Sequence, residues 1–230
     1  MNVILFGATG MIGSGTLVEC LADSRIEQIL VIGRRSTGVE HEKVRELLIS
    51  DFYDYSTIED QLVGYDACLF CLGTTSVGKN EEEYRHQTNE LTLAAATMLV
   101  RLNPEMTFCY VSAEGADPTG KSRQMWARVR GELENDLTAL PFRRVLIYRP
   151  FYIQPVTGVS SATRVYRLFY KVLSPLYPLL RRIFPNYLTT TEMLGQALIE
   201  GALSGAPTQV LRSREINALA EKSRLLIKED

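Results

Sequence analysis

The feature that most narrows the fold is a stretch of seven residues, Gly7-Ala8-Thr9-Gly10-Met11-Ile12-Gly13. It stands between a continuously apolar run, residues 3–6, and a helix-like stretch from Met11 to about Ala22. Glycines at this spacing allow a tight turn, admit a pyrophosphate close to the backbone, and let the helix pack hard on the strand. The first turn of the helix then offers unpaired N–H groups and a partial positive charge to phosphate oxygens. A glycine turn without a ligand is the plainer alternative. The position directly after a strand and directly before a helix favours the phosphate-binding reading.

Apolar runs keep alternating with helical ones further along. Residues 29–32, 44–49, 67–72, 107–111 and 145–148 read as strands, and 81–101 and 122–140 read as helices, the second with Ser122 placed to cap it. Strands that read as apolar runs, 44–49 less purely than the others, separated by helices, indicate a parallel sheet covered on both faces. An open, doubly wound α/β sheet is therefore expected. Residues 1–155 are expected to form the nucleotide-binding core. Residues 156–230 are expected to cap it and complete the sheet, with helix 192–203 capped by Thr189–Thr191 and a short β-like piece at 209–211.

Composition supports a globular chain. The 230 residues are 46% apolar and 23% charged, which excludes disordered and fibrous classes. A net charge of −2 gives no reason to expect nucleic acid as a partner. No basic leader opens the chain and no run of apolar residues is long enough to span a bilayer, so a cytoplasmic location is expected. Four cysteines are too few for a disulfide scaffold. Cys68 and Cys71 lie three apart on a strand, so their thiols point to opposite faces and serve packing, not metal binding. His41 and His86 read as surface residues, and no metal site is expected.

The second strand ends in Gly33-Arg34-Arg35, roughly twenty residues past Gly13, where an acidic residue would grip a ribose 2′-hydroxyl. Two guanidinium groups suit a 2′-phosphate instead, so NADP(H) is expected over NAD(H). Two solvated surface arginines are the alternative. Asp51-Phe52 ends the third strand where adenine would lie, and a strand-end turn explains that pair equally well. Cys71-Leu72-Gly73-Thr74-Thr75 follows the fourth strand, with small residues and hydroxyls suited to a passing cofactor backbone.

Gly7–Gly13, the Leu-Gly-Thr-Thr segment at 72–75, Ser-Ala-Glu-Gly-Ala-Asp at 112–117 and Tyr148-Arg149-Pro150-Phe151 together resemble the atypical short-chain dehydrogenase/reductases. Within these the chain is most similar to the branch containing the Tat-interacting-protein oxidoreductase. The resemblance covers roughly residues 1–155 and, more loosely, 189–203. It implies that Gly7, Thr9, Gly10, Met11, Ile12 and Gly13 hold the pyrophosphate and Arg34 and Arg35 the 2′-phosphate. It further implies Asp51 and Phe52 beside adenine, Leu72, Gly73 and Thr74 beside the adjoining ribose, and Pro150, Phe151 and Ile153 against the nicotinamide. Asn89 falls near an asparagine of the epimerase-like members, and Ser112 matches the active-site serine region.

One departure bears directly on activity. Short-chain dehydrogenases carry a tyrosine and a lysine spaced Tyr-x-x-x-Lys on one helix, the lysine lowering the tyrosine's pKa so that it moves the proton accompanying hydride transfer. Here the matching residues are Trp126 and Arg130. An indole has no usable acid–base group near neutrality, and arginine does not replace lysine freely. Trp126 reads either as a core residue beside the stripe Met125, Val129, Leu133 and Leu137, or as a cofactor-facing one. Ser112 and Arg130 are then the candidate catalytic groups. Of the tyrosines, Tyr152 alone is expected near the nicotinamide, with Tyr84 on a distant helix.

Residues 165–184 mix aromatics, leucines and basic residues but are interrupted by Pro175 and Pro178. A lid over the substrate crevice or a face for a second subunit is favoured over contact with a membrane surface. The expected function is that of an NADP(H)-dependent oxidoreductase acting on a small molecule. The alternative is a catalytically silent NADP(H) sensor or interaction module.

Overall fold

The structure, a computed structural model, describes residues 1–155 and 187–227. Seven parallel strands form one sheet: β1 (Asn2–Phe6), β2 (Gln28–Gly33), β3 (Val44–Leu48), β4 (Ala67–Phe70), β5 (Thr107–Val111), β6 (Arg144–Arg149) and, later in the chain, β9 (Val210–Arg212). Their order is β3-β2-β1-β4-β5-β6-β9. Chain direction reverses its progress across the sheet between β1 and β4, whose register pairs Val3 with Ala67 and Phe6 with Phe70. A crevice at such a switch point, outside the carboxyl ends of the strands, is where open α/β sheets bind ligands. A separate two-stranded parallel pair joins β7 (Tyr152–Gln154) to β8 (Leu188–Thr190).

β1, β2, β4, β5 and β6 are buried on both faces, as their unbroken apolar runs predict, whereas β3 at the sheet edge is half-buried or exposed. One core collects Val3, Leu5, Val31 and Leu69 from the strands with Leu17 of α1 (Met11–Ala22), Leu194 and Leu198 of α5 (Thr191–Ser204) and Leu219 of α6 (Ser213–Ile227). The other collects Ile4, Phe6, Leu30, Phe70 and Phe108 with Leu99 of α3 (Leu91–Leu102) and Leu133 and Leu137 of α4 (Met125–Ala139). Strand residues alternate between the two cores with the two-residue period of the pleat. α1 and α5 approach closely because small residues face each other: a Cβ on Gly15 would meet the Thr191 side chain at 2.7 Å, and one on Gly195 the Glu19 side chain at 2.8 Å.

Two helix boundaries differ from the sequence reading. The helix expected over 81–101 is α2 (Glu81–Arg85), a π-turn at His86–Glu90, and α3. The helix expected from Ser122 starts at Met125, with Gln124 in the N-cap position. The Asp117 carboxylate accepts from the Thr119 and Ser122 backbone N–H groups and holds the preceding loop in turns. The Ser122 hydroxyl is used there as well, accepting from Gln124 N. At α5 the expected cap is present, with Thr190 Oγ1 accepting from Met193 N at 3.0 Å. Residues 165–184, expected to form a lid, interface or membrane contact, lie outside the described residues. Among the described residues no helix is long and apolar enough to cross a membrane.

Candidate functional site

The glycine turn closes as its spacing requires. Gly7 adopts φ +80°, a conformation that other residues rarely take, and Gly10 N donates to Gly7 O at 2.9 Å. A Cβ on Gly7 would lie 2.7 Å from Leu72 N, so β1 and the loop after β4 touch through backbone alone. A Cβ on Gly13 would lie 2.1 Å from Gly7 O, which is how α1 comes to lie against the turn. Gly10, the N-cap of α1, gives no side-chain cap, and the first turn carries no acidic residue. The first-turn N–H groups therefore remain open to an anion. Thr9 and Gly10 are exposed, Met11 and Ile12 half-buried. The turn is a backbone cradle of the size and polarity a pyrophosphate fits.

Beside it, at the carboxyl ends of β2, β3 and β4, lies a cavity of about 580 Å³ lined by Arg34, Ser50, Asp51, Phe52, Tyr53, Leu72, Gly73, Thr74, His86, Gln87 and Leu91. Six of these were expected from the sequence: Arg34, Asp51, Phe52, Leu72, Gly73 and Thr74. Arg35 is exposed next to them, and among the described residues no ion pair holds Arg34 or Arg35. Asp51 Oδ1 accepts from Tyr53 N at 2.8 Å, and Phe52 is turned largely into the core against Phe6. The exposed aromatic surface comes instead from Tyr53 and His86, whose rings stack at 4.6 Å with an 8° interplanar angle. Lys79 Nζ donates to Thr74 Oγ1 at 2.5 Å and to Gln87 Oε1 at 2.7 Å, tying the loop after β4 to the π-turn.

The third part of the crevice lies over β5 and β6. Ser112, just past β5, donates its hydroxyl to Glu134 of α4, and Glu134 pairs with Arg149 at the end of β6. All three are buried, so the serine proton is committed to a carboxylate that is itself neutralised. Asn89, in the π-turn, donates Nδ2 to Asp136 Oδ2 of α4 at 3.1 Å. Pro150 O accepts from Glu114 N at 3.0 Å, Phe151 N donates to Ser213 Oγ at 3.0 Å, and the Phe151 ring is exposed against Tyr187. Ile153 lies in β7 and packs on the core that holds α1 and α5.

Trp126 is half-buried and belongs to neither core, although Val129, Leu133 and Leu137 on the same helix are buried. Its indole N–H donates to Gln124 Oε1 at 2.9 Å, and its ring tip lies against Gly115 in the loop after β5. Arg130, one turn on, donates Nε to Tyr84 Oη at 2.9 Å. Tyr84 is therefore not distant: α2 packs on α4 and delivers its buried ring to the arginine. Tyr110 stands nearby, its phenol pushed up to about 12 by burial, with the Arg130 charge opposing that rise.

Three of the four cysteines are buried. Cys68 and Cys71 belong to opposite sides of the sheet, all four thiols are free, and burial pushes Cys71 and Cys109 up to about 12. Among the described residues no group of three His, Cys, Asp or Glu side chains is placed to hold a metal ion.

Comparison with known proteins agrees with this geometry. No family model matches the chain. It is 26% identical over 220 residues to the protein fmp52, mitochondrial, of Emericella nidulans, covering 91% of this chain and 90% of that one. It is 27% identical over 151 residues to the protein HTATIP2 of Rattus norvegicus, covering 65% of this chain and 61% of the rat protein. A solved short-chain dehydrogenase/reductase of Saccharomyces cerevisiae superposes with a TM-score of 0.65 at 14% identity, covering 96% of this chain and 98% of its own, a likeness of fold. By these relatives and by its fold the chain is similar to the atypical short-chain dehydrogenase/reductases.

With the solved yeast structure it shares the fold. The cytoplasmic expectation is overturned, because the Fmp52 relatives are named mitochondrial. Sequence reasoning also missed Tyr53, His86 and Tyr84. The Asn80-x-x-Glu83 pair, a reciprocal cap at the start of α2, was a readable sign that the helix begins abruptly there. Nothing local announced that this helix would meet α4.

Proposed function

We propose that this protein binds NADP(H) in preference to NAD(H) and is an oxidoreductase acting on a small-molecule substrate. The observation that supports this reading is the pair of exposed cations without an ion-pair partner among the described residues, Arg34 lining the 580 Å³ cavity and Arg35 next to it in the chain. A dianionic 2′-phosphate would find charge-assisted donors there, where NAD(H)-binding relatives of this fold place a carboxylate. In this reading the Gly7–Gly13 backbone holds the pyrophosphate, Asp51 and the Tyr53–His86 stack flank the adenine, Leu72 borders its ribose, and Gly73 lies further along, where the dinucleotide passes toward Arg130. Arg130 and the Pro150–Ile153 segment border the nicotinamide end. The bound dinucleotide would supply or accept the hydride; the protein's own residues bind it, orient it and exclude water.

Proton handling is where this chain departs from the family it resembles. Trp126 offers a hydrogen-bond donor and no titratable group, and the Ser112 proton is given to Glu134. We therefore assign Ser112 a supporting part and Arg130 the electrostatic one, stabilising negative charge as it develops on a substrate oxygen. The second reading, a silent NADP(H) sensor, is favoured by the same absence of a phenol at position 126. Turnover separates them. The purified protein with NADPH and a panel of aldehydes, ketones and quinones is expected to oxidise the cofactor with at least one. Tight NADPH binding with no turnover across the panel would establish the sensor reading, and absence of NADPH binding would remove both.

A further inference from the structure

Arg130 presents an arrangement that neither the glycine turn nor the Trp126 substitution explains. Its Nε is spent on Tyr84 Oη at 2.9 Å, while its two Nη groups meet no acceptor among the described residues. One of them, Nη2, lies 4.0 Å from where a methyl on Gly73 would sit, and Gly73 lines the cavity. The unspent edge of the guanidinium thus faces the crevice and the spent edge faces α2. A guanidinium is planar, so fixing Nε fixes the direction of both Nη groups.

The phenol that does the fixing is itself held firmly. Tyr84 is 2% exposed, and α2 is joined to α4 by ion pairs on neighbouring residues, Glu81 to Arg128 and Arg85 to Glu132. A reciprocal cap between Asn80 and Glu83 sets where α2 begins. Tyr84 therefore cannot follow Arg130 if the arginine swings, and the arginine keeps the orientation the phenol imposes.

We propose that Tyr84 is a positioning residue for the nicotinamide end of the site. By accepting from Nε it turns the Nη edge of Arg130 toward the ribose oxygens on that side of the dinucleotide. The family's lysine is a point charge that needs no such orientation; an arginine in its place does, and Tyr84 supplies it from another helix. This rests on the cofactor reading above.

The test uses two ligands and a mutant cycle. NADPH fills the whole crevice, whereas adenosine 2′,5′-bisphosphate fills only the end near Arg34. Tyr84→Phe keeps the ring and removes only the acceptor, so it is expected to weaken NADPH about five- to tenfold, the worth of one ordinary hydrogen bond, and to leave the bisphosphate within twofold. In an Arg130→Met background, the same change is expected to cost NADPH less than twofold, because no guanidinium remains to be oriented. Equal weakening of both ligands, or a penalty that persists without Arg130, would show a packing role and overturn the inference while leaving the cofactor reading intact. No loss of NADPH affinity on Tyr84→Phe would overturn it too. A wild-type protein that binds neither ligand would overturn the cofactor reading, and the inference with it.

Discussion

The two ends of α1 are finished in opposite ways. At its C-terminus, Asp23 and Glu200, both almost fully buried, are matched by Arg25 at 2.7 and 3.0 Å, and Lys222 reaches Glu200 at 2.9 Å. Arg25 also donates to Ser223, so one arginine joins α1, α5 and α6. At the N-terminus nothing is matched: the cap is a glycine, the first turn has no acidic residue, and Arg34 and Arg35 stand nearby without ion-pair partners among the described residues. Buried charges that hold a fold together are paired internally, because an unpaired one costs several kcal/mol. Donors left unspent at the mouth of a crevice gain nothing for the fold, and in the proposed reading they serve an external anion. Charge satisfaction, more than burial or cavity size, separates the structural end of this helix from its ligand end.

The largest expected effect comes from closing the open end. Gly13→Ala would press a methyl into the backbone of Gly7, and overpacking against backbone is expected to cost about 3 kcal/mol in a urea titration. The turn would distort with it, so NADPH binding should fall well beyond tenfold. Normal affinity in this variant would mean that the cradle is not where phosphate lies.

Breaking the closed end should act on stability alone. Arg25→Met leaves Asp23 without its partner and Glu200 with Lys222 only, for an expected loss of about 2 kcal/mol with NADPH affinity unchanged. The same cluster fixes the acid response. Burial raises the Asp23 and Glu200 carboxyls, but hydrogen bonds and charge from Arg25 and Lys222 more than offset this, so both lie below their ordinary values. A depressed carboxyl contributes stability above its unfolded pKa, about 4, and that contribution is lost as pH falls through the lower folded value. Thermal melts from pH 6 to pH 3 should therefore steepen downward at the acid end in the wild type and less so in Arg25→Met. Parallel curves would assign the acid response to other carboxylates.

The smallest effect is expected at Trp126. A half-buried ring over the Gly115 loop should tolerate replacement, so Trp126→Tyr is expected to shift stability by less than about 1 kcal/mol. A core residue would lose more, through the buried hydroxyl and lost volume. A melt several degrees lower, with no gain in reductase turnover, would put Trp126 in the core after all.

How much of this was legible in the sequence divides along the same line. The sheet, its parallel strands and the glycine turn were readable because they rest on short-range patterns: unbroken apolar runs such as 29–32 and a glycine spacing flanked by strand and helix. The cavity wall was half readable, since Asp51, Phe52 and Gly73 follow strands that the pattern locates. The Tyr53–His86 stack, the Ser112–Glu134–Arg149 network and the Tyr84–Arg130 bond were not, because each joins residues 15 or more apart across different elements. Even the start of α4 differs, as Ser122, three residues before Met125, closes a loop turn by accepting from Gln124 N instead of capping the helix. Periodicity reports which face a residue takes, and says nothing of which partner it meets there.

The central claim, that the unspent cations at the open end of α1 are spent on a 2′-phosphate, is tested most directly by calorimetry on Arg34→Ala/Arg35→Ala with both cofactors. The account predicts that NADPH affinity falls by about 1–3 kcal/mol while NADH affinity and the melting temperature stay nearly unchanged. Equal losses for NADPH and NADH, or no loss for either, would contradict it.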